Sequence, residues 1–149
     1  MGSDLDKRKS TSAYAFLLNN GAIIWSSKKQ PCIALSTMEA EYVVCSATVQ
    51  EAVWLRRFFQ HLEVVKDASD PMIIHCDSTA ALPYAKDPKY HGKTKHIDIR
   101  YHSIHDIVTH KEVVLKHIST TRMIADPLTK PIGRDAFQAH VRSLGLRRL

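Results

Sequence analysis

At 149 residues, with 44% apolar and 24% charged content, the chain is long enough for one globular domain with a normal hydrophobic core, and a second domain is not expected. It has no run of about 18 apolar residues and its first ten residues are polar, so it offers neither a membrane-spanning helix nor a secretory leader, and a soluble intracellular protein, cytoplasmic or nuclear, is expected. The net charge of +6 is unevenly spread: residues 1–85 carry 8 Lys/Arg against 9 Asp/Glu, and residues 86–149 carry 13 against 6, which makes the second half the expected face for a polyanion.

Residues 1–11 read as a polar loop. Ser12 to Leu18 has strand character, and Asn19-Asn20-Gly21 follows it directly. Asn-Gly supplies the positive backbone angles of a tight hairpin, so Ala22 to Ser27 is expected to return as the partner strand. Ser36 and Glu39 have the spacing of a capping box, after which Tyr42, Cys45, Val49, Val53 and Phe59 recur at helical spacing from Met38 to Leu62. That stripe reads as core. After a polar turn from Glu63 to Asp70, Pro71 to Cys76 reads as a buried strand ending at Asp77, with a short helix over Ser78 to Ala85 that Ser78 or Asp77 would cap. Asp87 to Gly92 is a loop, Ile97 to Val108 a helix and Glu112 to Ile118 a final strand. Pro127 suits a first helical turn, so Asp126 is expected to cap a short helix. Phe137 to Leu144 is a last amphipathic helix, stopped by Gly145.

Three acids stand out against this frame. Glu41 opens the long helix, Asp77 ends the buried strand and Asp126 follows the last strand. Half-buried carboxylates are costly unless paired with cations, so several of them gathering at one point signify metal or acid/base chemistry. Cys32, Cys45 and Cys76 are odd in number and set among apolar residues, as expected of buried thiols in a reducing compartment. His91, His96, His102, His105 and His110 are crowded into 20 residues, but no Cys or acid at zinc-finger spacing accompanies His102 and His105, and a solvated or polyanion-contacting helix is the default. Trp25 and Trp54 are read as packing residues in preference to base-stacking platforms.

The order of these elements resembles the ribonuclease H fold: an α/β architecture with a mixed sheet flanked by helices. The residues Lys9 to Tyr14, Trp25 to Gln30, Leu35 to Tyr42, Glu51 to Leu55, His75 to Asp77, Thr94 to Ile99, Ala125 to Lys130 and the ending Val141 to Leu146 are similar to the ribonuclease H region of copia-type retrotransposon polyproteins. The resemblance implies a nuclease that cuts the RNA strand of RNA/DNA hybrids, using Mg2+ (or Mn2+) held by Glu41, Asp77 and Asp126. Glu39 is the rival to Glu41. Glu41 is favoured because the capping box already employs Glu39. Lys28, Lys93, Lys95, His96 and Lys130 are the expected nucleic-acid contacts, chosen on charge.

The family pattern places a further metal-binding Asp on a strand preceding the segment Asp4 to Thr11, and this chain starts at Met1-Gly2-Ser3. Lack of that first strand is expected to impair cleavage and to leave sheet edges open to homodimerisation. The alternative is a non-catalytic module for binding nucleic acid or protein.

Overall fold

The hairpin near the start of the chain closes through two consecutive asparagines. In the computed structural model, which describes residues 11–30, 37–63, 70–79, 82 and 103–146, strand β1 (Thr11–Leu18) pairs antiparallel with β2 (Gly21–Lys29). Asn19 and Asn20 have φ of 50° and 62°, the two positive angles that a type I′ turn requires. The sequence had pointed to Asn20-Gly21 as the turning pair. Instead Gly21 already belongs to β2, because asparagine tolerates the left-handed region and the turn can close one residue earlier. The register shifts between Phe16 and Leu17, which leaves Ile23 as an extra residue in β2.

The chain divides into two compact units, residues 1–40 with 119–149, and residues 41–118. In the first, the hairpin is tied to the C-terminal segment by hydrogen bonds from Ala22 N–H to Leu144 O (2.9 Å) and from Ser27 Oγ to Leu128 O (2.6 Å). Gln30, almost fully buried, donates through Nε2 to Ser12 Oγ and Ala40 O, both at 2.9 Å. Two 3-10 turns, Thr120–Arg122 and Asp126–Leu128, lead to helix α3 (Arg134–Ser143). Asp135 in its first turn and His140 and Arg142 in its last complement the helix dipole. The expected stop at Gly145 is observed: its φ is +75°, its N–H reaches Arg142 O, and Leu146 N–H reaches Val141 O. These two bonds form a Schellman motif.

The second unit takes its core from one face of helix α1, which runs Thr37–His61, close to the expected bounds. Tyr42, Cys45, Val49, Ala52 and Val53 are buried and Phe59 is half-buried, as the helical stripe required. Strand β3 (Met72–Cys76) pairs in parallel with β4 (Val113–His117). Parallel strands need a crossover, and residues 103–109 within it form helix α2, which buries Ile104. Ile74, Val113 and Leu115 complete the core from the sheet. The ladder extends past both strand ends through Met72 N–H to Glu112 O (3.1 Å) and Ile118 N–H to Cys76 O (3.0 Å).

The described residues therefore form a mixed α/β structure with one antiparallel and one parallel strand pair. Among them, no helix is long and apolar enough to cross a membrane. The capping box at Ser36, the loop Asp87 to Gly92, most of the helix Ser78 to Ala85 and the start of the helix expected from Ile97 lie outside the described residues.

Both tryptophans depart from the expectation that they pack. Trp25 is 62% exposed because it alternates with Ile24 and Ser26 on the hairpin's inward face. Trp54 is 55% exposed, one position beyond the buried Val53 on α1, and its ring stacks on Phe58 with centroids 5.2 Å apart and planes 9° from parallel. The i,i+4 spacing on a helix surface brings those two rings together.

Candidate active site

The side chain of Glu41 leaves the second turn of α1 and accepts a hydrogen bond at Oε2 from Ser78 Oγ. Ser78 is buried and directly follows Asp77, which itself directly follows β3. Glu41 is thereby held by the residue that follows Asp77, at the carboxyl end of a parallel strand, and the charges of both acids act on Cys76. Open α/β sheets place their ligand crevices beyond that end. Both carboxylates are half-buried.

Ser78 is the component that the sequence reading missed. The sequence offers Ser78 or Asp77 as the cap of a following helix, most of which lies outside the described residues, and does not show that the Ser78 hydroxyl also donates to Glu41, 37 residues away. The only signal was a hydroxyl residue beside a strand-end aspartate, which is also what a helix cap looks like.

Two thiols, Cys76 beside Asp77 and the buried Cys45, lie near the acids. Burial pushes the Cys76 thiol up, the backbone hydrogen bond with Ser78 opposes this, and the negative charges of Asp77 and Glu41 add to the rise. Cys45, one turn beyond Glu41 on α1 and only 5% exposed, is pushed from 9.0 to about 12 by burial first and by Cys76 second. Both are free cysteines and remain protonated near neutrality. Cys45 thus has a folded-state value above its unfolded one, so its neutral form stabilises the fold below about pH 9, and this contribution is lost as pH rises toward 12. At about 1.4 kcal/mol per pH unit, we expect urea unfolding of the wild type to lose roughly 1–2 kcal/mol more than Cys45→Ala between pH 9 and 10.5. Equal losses in the two proteins would show that the thiol titrates normally.

Asp126 belongs to the first unit. It starts the 3-10 turn Asp126–Leu128, with Pro127 following as expected, but its side chain does not cap that turn. Its Oδ1 instead lies 3.2 Å from Lys130 Nζ, and the aspartate side chain is only 14% exposed. The i,i+4 spacing favours this pair. Lys130, expected to contact nucleic acid, is thus also the counter-ion of a proposed ligand. Lys28 is exposed on β2. Lys93, Lys95 and His96 lie outside the described residues, as do Cys32, His91, His102 and the side chain of Glu39.

The donor chemistry of the Glu41–Asp77 place fits a hard divalent cation, because carboxylate and hydroxyl oxygens are the ligands Mg2+ prefers. The neighbouring thiols, kept neutral, do not compete as thiolates. Among the described residues, no three His, Cys, Asp or Glu side chains form a group that could hold a metal ion.

No family model and no solved structure matches the chain. Among curated proteins, it is 43% identical over 138 residues to the retrovirus-related Pol polyprotein from transposon TNT 1-94 of Nicotiana tabacum, an alignment covering 93% of this chain and 10% of the polyprotein. It is 36% identical over 143 residues to the corresponding polyprotein from transposon RE2 of Arabidopsis thaliana, covering 96% of this chain and 10% of that protein. The polyprotein from transposon RE1 of the same plant is 36% identical over 146 residues, with 98% and 10% covered. These homologues of the chain are retrovirus-related Pol polyproteins of plant transposons, and the chain spans about a tenth of their length.

Proposed function

We propose that this chain is a ribonuclease H-like part of a retrotransposon Pol polyprotein, with metal-dependent cleavage of the RNA strand of RNA/DNA hybrids as its chemistry. The observation that carries this reading is the meeting of Glu41 with the Asp77-Ser78 pair at the carboxyl end of β3. Glu41 and Asp77 would hold Mg2+ or Mn2+, and Asp126 is the third proposed ligand. When bound, such an ion polarises a phosphoryl oxygen and lowers the pKa of its water. Ser78 fixes the carboxylate of Glu41, and the fixed position of Asp77 at the strand end spares reorganisation when a substrate phosphate arrives. Lys28, Lys93, Lys95, His96 and Lys130 are proposed to meet the hybrid backbone as point charges.

The Asp126–Lys130 ion pair favours a second reading, because it already supplies that carboxylate with a cation. In it the scaffold binds nucleic acid without cutting. A labelled RNA/DNA hybrid incubated with the protein and Mg2+ or Mn2+ separates the two. Cleavage that Asp77→Asn removes supports the nuclease. Binding of the hybrid with no cleavage by the wild type supports the second reading.

A further inference from the structure

The outward face of the hairpin carries an aromatic side chain that the fold leaves uncovered. From Ile24 onward β2 alternates regularly, so Trp25, Ser27 and Lys29 share one face, across from Ala15, Ala13 and Thr11 of β1. These partners are small, too short to cover the indole. Ser27 donates to Leu128 O from this same face, which sets the turn Asp126–Leu128, and with it the Asp126–Lys130 pair, beside the shelf. Toward the hairpin turn the rim is apolar, with Ile23 and Leu17 partly exposed. Toward the other end lie Lys28 and Lys29, and residues 11–30 include no acidic side chain.

An open indole with Lys29 on the same face of the strand, and Lys28 next to it on the opposite face, matches the chemistry of a single nucleic-acid strand: any base offers a π face and every link a negative charge. We infer that Trp25 is a stacking contact for an unpaired stretch of nucleic acid whose backbone runs along β2 toward Lys28 and Lys29. The four steps from Trp25 to Lys29 span about 13 Å, about four stacking steps of a nucleic-acid strand. This goes beyond hybrid cleavage, since paired bases do not open a face to an indole, and it does not depend on Glu41 or Asp77.

The test uses the full chain and a 12-nucleotide single-stranded oligothymidylate. In a Trp54→Phe background Trp25 is the sole indole, and its fluorescence is expected to be quenched on binding. Measured by anisotropy of the labelled oligonucleotide, Trp25→Ala is expected to weaken binding roughly 5- to 150-fold, and Trp25→Phe to restore it to within a few fold. Lys28→Ala combined with Lys29→Ala is expected to reduce the slope of log K against log salt by about 1.4. No binding by the wild type, or equal binding by Trp25→Ala, overturns the inference. So does self-association by light scattering that Trp25→Ala abolishes, since a second copy would then cover the face. Loss of hybrid cleavage with the single-strand affinity intact would defeat the nuclease reading and leave this one standing.

Discussion

Glu41→Gln is expected to slow hybrid cleavage about 10²- to 10³-fold while leaving the unfolding free energy within about 1 kcal/mol of wild type. The two effects separate because glutamine has the length of glutamate and keeps a carbonyl oxygen where Ser78 Oγ donates. The hydrogen bond that joins α1 to the end of β3 therefore survives. What is lost is the negative charge, which contributes little to the fold at a half-buried position but is what a hard cation requires. The cation concentration for half-maximal rate should rise in the same variant. Ser78→Ala makes the complementary change, since it keeps the charge and removes the donor that orients it. A loss of about 10- to 100-fold is expected there, the usual cost of removing a partner that positions a ligand. Unchanged cleavage by Glu41→Gln would exclude Glu41 as a ligand and return Glu39 to consideration.

How far the sequence revealed this arrangement depended on the range of each interaction. Local signals read well. The stripe from Tyr42 to Val53 placed α1 and its buried face, Pro71 to Cys76 gave a strand ending beside Asp77, and Gly145 marked the end of α3. Interactions within a turn were half legible: the spacing of Asp126 and Lys130 permits an ion pair, yet each had been assigned a separate role. The turn at Asn19-Asn20 was displaced by one residue because two adjacent residue types both tolerate positive φ. Periodicity also shows which residues share a face without showing whether anything covers it, which is why Trp25 and Trp54 were expected to pack. The bond from Ser78 to Glu41 joins residues far apart in sequence and has no periodic signature at all.

The same distinction sets the largest expected effect on stability, at Gly145. Alanine there meets two separate costs. The backbone φ of +75° crowds any Cβ against the following carbonyl, and a Cβ built at this position falls 2.5 Å from Asn20 O and 2.9 Å from Gly21 Cα. Those atoms belong to the hairpin turn, whose own positive angles leave it little room to move. Together the terms should destabilise the fold by about 2–4 kcal/mol, a fall in Tm on the order of 5–15 °C. Amide exchange at Ala22 should accelerate, because its N–H is bonded to Leu144 O beside the altered residue. Gly133→Ala is the control: Gly133 sits at φ −57° with nothing within 4 Å of a built Cβ, so its change should stay within about 0.5 kcal/mol. Gly145→Asn separates the two costs, since asparagine tolerates the left-handed region but still carries a Cβ. It should recover only part of the loss, and full recovery would mean that the helix end and the hairpin turn do not approach as closely as the contact with Asn20 requires.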